Sequence, residues 1–120
     1  MIATARAIAR IGALTALTLA SLTLYGASFW CGAGVRRRIV RAWHLSAARI
    51  VGIHIRAQGT VAPAGSLIAC NHVSYIDVIA LGALTEATFV AKAGVARWPV
   101  IGFLARLANT LFVDRTGSHC

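Results

Sequence analysis

Residues 66–77, which read Ser-Leu-Ile-Ala-Cys-Asn-His-Val-Ser-Tyr-Ile-Asp, decide the order of secondary structure. Residues 66–70 form a short apolar run bounded by turn and polar residues, which is typical of a strand buried on both faces of a sheet. Ser74 and Asp77 then match the capping-box pattern that begins a helix. The stretch therefore predicts a strand that gives way to a helix at about Ser74, and this helix should continue to Leu84.

The flanking segments extend this alternation. Residues 50–55 alternate between apolar and polar side chains, which predicts a half-buried strand, and residues 58–65 contain the glycines and proline of a turn. Downstream, the pattern predicts a strand at Thr88–Ala91, a helix at Arg97–Leu107 and a strand at Leu111–Val113. The order of strand, strand, helix, strand, helix, strand indicates an α/β layer fold.

The N-terminal part, residues 1–35, is predicted to be a membrane anchor. No charged residue occurs between Arg10 and Arg36, and a helix over residues 11–30 would span about 30 Å, the thickness of a bilayer core. A cleaved signal peptide, with residues 26–28 as a small-residue cleavage site, is the alternative interpretation.

The segment after the anchor, residues 36–49, is predicted to be a basic amphipathic helix that rests on the membrane surface. Aromatic residues precede it, as at a membrane interface: Tyr25, Phe29 and Trp30. Its first arginines outnumber the two near the N-terminus: Arg36, Arg37, Arg38 and Arg41. By the positive-inside rule, we expect the C-terminal side of the anchor, and with it the rest of the chain, at the cytoplasmic face of the cytoplasmic membrane.

Composition points to an anionic partner. The chain has 58% hydrophobic and 12% charged residues, and its net charge of +9 favours lipid head groups or phosphate esters. The aromatic residues are not interleaved with the basic ones, and no helix-turn-helix or zinc-finger spacing occurs, so nucleic acid is not an expected partner. The three cysteines are far apart in the sequence and predict neither a disulfide framework nor a metal site.

His72 and Asp77 are the candidate catalytic pair. In open α/β sheets, ligands bind beyond the carboxyl ends of strands, and the two residues follow such a strand. A spacing of five residues separates two side chains on a continuous helix by about 140°, but a loop-to-helix junction can bring them together. His72 could then give one N–H to Asp77 and accept a substrate proton on its other nitrogen. Alternatively, Ser74 and Asp77 form a helix cap and nothing more.

A resemblance favours the catalytic interpretation. Residues 67–115 resemble the lysophospholipid acyltransferase family, which includes 1-acylglycerol-3-phosphate acyltransferases. Residues 71–77 contain all the residues of the family's first block, Asn-His-x-Ser-x-x-Asp. Residues 89–92 and 98–102 are similar to the family's lysine strand and tryptophan-proline helix start, and residues 109–115 are similar to its second block. Asn109 replaces the glycine usual there, and asparagine tolerates the left-handed backbone that the turn requires.

The resemblance implies a fold and a reaction. The fold would be α/β, with an N-terminal transmembrane helix followed by a partial glycerolipid-acyltransferase-like αβ domain at residues 50–115. His72 would deprotonate the free hydroxyl of a lysophospholipid, which attacks an acyl thioester directly, and Asp77 would orient the imidazole. The remaining site residues would bind substrate: Arg115 at the acceptor phosphate, Lys92 as its helper, and Asn71 and Ser74 beside the base. The co-substrate would be an acyl-CoA or acyl-carrier-protein thioester, with no cofactor and no metal.

The family's third block, of Phe-Pro-Glu-Gly-Thr-Arg-Ser type, does not occur in these 120 residues. We therefore expect a C-terminally truncated product or partial record, with residues 116–120 as a tail. Two other functions stay open beside phosphatidate synthesis. One is acylation of another acceptor, such as a lyso-ornithine lipid, and the other is an inactive, membrane-anchored fragment that binds anionic lipid.

Overall fold

The computed structural model describes residues 1–63, 65–71 and 74–114. The chain divides into two compact units, Met1–Glu86 and Ala87–Cys120. The first contains helices α1 (Ile2–Ala27), α2 (Ala33–Val51) and α3 (Tyr75–Leu84), with a 3-10 turn at Ser28–Cys31. The second contains strands β1 (Val90–Lys92) and β2 (Leu111–Val113), a 3-10 turn at Ala93–Arg97 and helix α4 (Ile101–Leu107).

In the first unit, α2 runs back along α1. The indole Nε1 of Trp43 donates to Thr18 Oγ1 at 3.1 Å, and the Arg10 guanidinium lies 3.4 Å from where a Cβ on Gly52 would be. The half-buried residues of α1 recur at helical spacing: Leu14, Leu17, Thr18, Ser21, Leu22 and Tyr25. The rest of its apolar surface is exposed, and the helical segment Ile2–Cys31 is long and apolar enough to cross a membrane.

The turn between α1 and α2 presents aromatic side chains. Phe29 and Trp30 are 70% and 92% exposed and pack edge to face, with ring centroids 6.0 Å apart. Arg36 donates to the Phe29 carbonyl at 3.3 Å and places its guanidinium 5.8 Å from the centre of the Phe29 ring. An arginine therefore sits directly against the exposed aromatic turn.

Helix α3 packs on α2 through small residues. Ala47 and Ala48 of α2 and Ala83 of α3 are fully or almost fully buried. The C-terminal end of α3 is held by two arginines of α2, because Arg41 Nε donates to the Ala83 carbonyl at 3.2 Å and Arg37 pairs with Glu86 at 3.6 Å. Positive charge at a helix C-terminus is favourable, although an exposed ion pair adds at most about 1 kcal/mol.

The predicted strand at residues 50–55 is wrong, because α2 continues through Val51. Gly52 then adopts the left-handed conformation, with φ +88°, and its N–H donates to the Arg49 carbonyl while the Ile53 N–H donates to the Ala48 carbonyl. These two bonds are the Schellman motif that ends helices at glycine. The alternating pattern was therefore the last turn of a helix followed by its glycine cap.

The predicted strand at residues 66–70 is also not formed. These residues have no regular structure, and the side chain of Leu67 is 94% exposed. A strand requires a neighbouring strand that accepts and donates its backbone hydrogen bonds. In the described part of the chain, β1 and β2 pair with each other, so residues 66–70 have the composition of a buried strand without its pairing.

The second unit is a small parallel βαβ arrangement. Strands β1 and β2 pair in the register Val90↔Leu111, Ala91↔Phe112 and Lys92↔Val113, and β2 begins as predicted. The intervening helix begins at Ile101, not at Arg97, because Trp98 precedes Pro99 and is extended, with ψ 129°. The chain is thus a mixture of helices and a small sheet, with β1 shifted by two residues from its predicted start.

Candidate active site

The start of α3 is fixed by a capping box. Ser74 is extended, its Oγ accepts from the Ile76 N–H at 3.2 Å, and Asp77 Oδ2 accepts from the Ser74 N–H at 2.9 Å. Both bonds satisfy amide groups that the first turn of a helix otherwise leaves unpaired. The position also favours an ionised Asp77, since the helix dipole is positive at this end.

The predicted partner of this carboxylate, His72, lies outside the described residues. The residues around it are accessible, because Asn71 and Ser74 are exposed and Tyr75 is 62% exposed. Asp77 is partly buried. Three of the predicted site residues, Asn71, Ser74 and Asp77, therefore belong to one accessible junction at the N-terminus of α3, and the pairing of His72 with Asp77 stays a prediction.

The two predicted phosphate-binding residues belong to the second unit. Lys92 is exposed at the end of β1, opposite Val113 of β2, and Arg115 lies outside the described residues, two positions after Val113. Lys92 therefore lies at the edge of the sheet where β2 also ends, because parallel strands end at the same edge.

The turn that leads into β2 has the left-handed backbone expected of the residue that replaces the family's glycine. Asn109 has φ +55°, and the Thr110 N–H donates to the Ala105 carbonyl at 2.9 Å. Asparagine thus ends α4 in the left-handed conformation, as expected for a replacement of glycine.

Comparison with known proteins decides the family. Residues 47–119 match the family model described as Acyltransferase. The chain belongs to the acyltransferase family. The match contains the His72 motif, Lys92 and Arg115, and it confirms the resemblance of residues 67–115 to lysophospholipid acyltransferases.

The relatives of this chain are named for more than one acceptor lipid. The chain is 34% identical over 116 residues to a lyso-ornithine lipid O-acyltransferase of Brucella abortus, covering 96% of this chain and 43% of that protein. It is 37% identical over 87 residues to the enzyme of that name from Rhizobium meliloti, covering 72% and 30%. It is 36% identical over 69 residues to a 1-acyl-sn-glycerol-3-phosphate acyltransferase of Neisseria gonorrhoeae, covering 58% and 27%. The chain thus spans less than half the length of these relatives, and no solved structure matches it.

One buried residue was not predicted from the sequence. His44 has no carboxylate at a useful spacing in the sequence, so no motif marks it. It is only 6% exposed, and its ring packs against Gly82, which belongs to the same helix as Asp77. A lone glycine within a helical pattern was the available signal, since such a glycine can mark a close approach of another group.

Burial lowers the pKa of His44 below its ordinary value, and a hydrogen bond to the Val40 carbonyl offsets part of that shift. A group with a lowered folded-state pKa binds fewer protons folded than unfolded, so its contribution to stability is lost as the pH falls. We expect the unfolding temperature of the protein to fall when the pH is lowered from 7 to 5, mainly below about 6.5, the ordinary pKa of histidine.

The matched variant for this pH series is His44→Gln, which keeps a polar side chain but cannot be protonated. Its unfolding temperature should fall less over the same pH interval. Identical pH dependence of the two proteins would contradict the assignment of this titration to His44.

Proposed function

We propose that this protein transfers a fatty acyl group from an acyl thioester to the free hydroxyl of a lyso-lipid, with His72 as general base and Asp77 as its orienting carboxylate. The observation that carries the proposal is the complete Asn-His-x-Ser-x-x-Asp motif of residues 71–77, which ends in the capped first turn of α3 inside the segment that matches the family. The motif's aspartate is held by a backbone N–H, as an orienting group requires.

The proposed reaction needs one base and no covalent enzyme intermediate. His72 accepts the proton of the lipid hydroxyl while the oxygen attacks the thioester carbonyl. The carbon–sulfur bond breaks, an ester forms, and the leaving thiolate takes the proton from the imidazolium. Asp77 keeps the imidazole of His72 in the tautomer whose other ring nitrogen, which faces the substrate, can accept a proton. It also stabilises the transient positive charge of the imidazolium.

Two acceptors are supported by different observations. Lyso-ornithine lipid is favoured because the similarity to a lyso-ornithine lipid O-acyltransferase extends over 96% of the chain. A 1-acylglycerol-3-phosphate is the second candidate, since the chain is also similar to an enzyme named for that acceptor. Both lipids carry an anionic group that an arginine can bind with two parallel hydrogen bonds, a carboxylate in ornithine and a phosphate in the glycerolipid.

An acceptor comparison tests the proposal. Membranes containing the full-length protein are given a labelled acyl thioester with either lyso-lipid, and the products are identified by mass spectrometry against membranes without the protein. We expect a new diacylated lipid with at least one acceptor, and faster formation from lyso-ornithine lipid. Products at the level of the control membranes with both lipids would overturn the proposed function.

Arg115 is proposed to bind the acceptor head group. Arg115→Ala should raise the Michaelis constant for the acceptor roughly ten- to a hundredfold, because a lost charged hydrogen bond is worth about 1.5 to 3 kcal/mol. The Michaelis constant for the thioester should change little, and Arg115→Lys should recover only part of the loss, since a point charge replaces a planar fork. The matched control is Arg97→Ala, an exposed arginine of the same unit. Unchanged acceptor saturation in Arg115→Ala would assign head-group binding elsewhere.

We propose that α1 attaches the protein to the cytoplasmic membrane, with the site residues on the cytoplasmic side. If α1 crossed the bilayer upright, α2 would lie beside it, and its exposed Arg38 and Arg49 would enter the hydrocarbon region at about 2.5 to 3.5 kcal/mol each. The hairpin favours an arrangement in which the apolar surface of α1 contacts lipid while the arginines of α2 stay at the head groups.

Extraction with high-pH carbonate tests this attachment. We expect the protein to remain in the membrane pellet with its N-terminal segment intact, since the exposed apolar surface of α1 holds it independently of charge. Release into the soluble fraction, or a mature N-terminus near Phe29, would contradict the attachment.

A further inference from the structure

We propose that His44 is a positioning residue for the acyl-transfer site: its buried imidazole occupies the space that Gly82 leaves beside α3, and this contact sets where α3 carries Asp77. The inference rests on the proposed function for the role of Asp77. His44 is not part of the Asn-His-x-Ser-x-x-Asp motif, and it is not one of the residues proposed to bind the head group.

The imidazole of His44 is held in one orientation from its own helix. Its Nδ1 lies 2.8 Å from the Val40 carbonyl oxygen, and because a carbonyl can only accept, Nδ1 carries the proton of that hydrogen bond. The ring stands edge to face with Trp43, with ring centroids 5.0 Å apart and planes at 88°. Trp43 is itself tied to α1 through its hydrogen bond to Thr18. The ring therefore presents a fixed edge to α3.

Gly82 is the residue of α3 that contacts this edge of the His44 ring. A Cβ added to Gly82 would lie 2.6 Å from Nε2 and 2.7 Å from Cγ of His44, closer than real Cβ contacts allow. Glycine is less favourable than alanine inside a helix, so the absence of a side chain at Gly82 destabilises α3 itself. Ala47 and Ala48, which lie one turn after His44 in α2, and Ala83, which follows Gly82 in α3, are also buried.

The contact between His44 and Gly82 can affect the position of Asp77, because Gly82 and Asp77 belong to the same helix. Asp77 lies five residues before Gly82, about 7.5 Å along the helix axis at 1.5 Å per residue. Arg41 and Arg37 hold the other end of the helix through the Ala83 carbonyl and Glu86. A shift of α3 away from His44 therefore moves the Asp77 carboxylate, and a misplacement of about 1 Å can lower a rate about a hundredfold.

The test is a double-mutant cycle between Gly82→Ala and His44→Ala in the full-length protein. Gly82→Ala should lower kcat about ten- to a hundredfold while the Michaelis constant for the acceptor stays within about twofold, because the carboxylate moves with α3 and the head-group candidates Arg115 and Lys92 do not belong to that helix. In the double variant the added methyl meets no ring, so kcat should be higher than in Gly82→Ala alone. Gly12→Ala is the matched control, since Gly12 lies in α1 with nothing within 4 Å of an added Cβ.

Hydrogen exchange of the α3 amides separates this inference from the proposed function. Gly82→Ala should speed exchange across residues 76–84, and the second substitution should reverse part of that effect, whether or not the protein transfers acyl groups. If wild-type protein shows no acyl transfer, the proposed function fails, and the exchange cycle alone decides whether His44 positions α3. Additive exchange effects, or a Gly82→Ala enzyme with wild-type kcat, would overturn the positioning role.

Discussion

His72→Ala is expected to lower the rate of acyl transfer by about 10² to 10⁴, the usual effect of removing a general base. Alanine cannot accept the proton of the lipid hydroxyl, and a neutral hydroxyl attacks a thioester slowly. The Michaelis constants should change far less, because the imidazole acts mainly in the transition state. The measurement is steady-state transfer in membranes that contain equal amounts of each protein.

A histidine without a proposed role gives the control for this variant. His54 is exposed between α2 and the start of the motif segment, and His54→Ala should retain wild-type turnover. Near-normal turnover in His72→Ala would eliminate the mechanism, even if the lipid product were the expected one.

Asp77→Asn is expected to lower kcat about a hundredfold or more, by the loss of imidazole orientation and of charge stabilisation. An asparagine carbonyl oxygen can still accept the Ser74 N–H that Oδ2 accepts at 2.9 Å, so the start of α3 should remain capped. The variant therefore separates the two roles of this side chain, one in the helix and one in the chemistry.

Two measurements on Asp77→Asn keep these roles apart. Its unfolding temperature should stay close to that of the wild type, because the cap survives, while kcat falls. If both properties stayed at wild-type values, Asp77 would be a helix cap alone. A fall in both together would point to damage of α3 and would contradict the claim that the amide preserves the cap.

Local sequence signals predicted the helices and the cap well. The capping box of Ser74 and Asp77 is a short-range pattern, and the structure forms both of its hydrogen bonds. The left-handed conformation of Asn109 was predicted as well, since a helix-ending turn is determined by residues close to it. The strand at Leu111–Val113 was predicted from its composition, and it forms because β1 is there to pair with it.

The errors arose where structure depends on distant residues. Residues 66–70 have strand composition, but strand formation depends on a paired neighbour that composition does not reveal. At residues 50–55, a half-buried strand and the glycine-capped end of a helix would show the same apolar pattern, because the stretch is so short. The contact of His44 with Gly82 joins residues 38 positions apart on two helices, and neither motif nor spacing predicts such a pair.

The central claim is that a lipid hydroxyl accepts the acyl group of a thioester, and the release of thiol measured together with ester formation tests it most directly. Membranes with the full-length protein are given the acyl thioester and the preferred lyso-lipid, or the same lipid with its free hydroxyl blocked as a methyl ether. We predict one thiol released for each ester formed with the free hydroxyl, and neither product above control with the blocked lipid. Thiol release that continues with the blocked lipid, or that yields free fatty acid in place of the ester, would show hydrolysis and contradict acyl transfer.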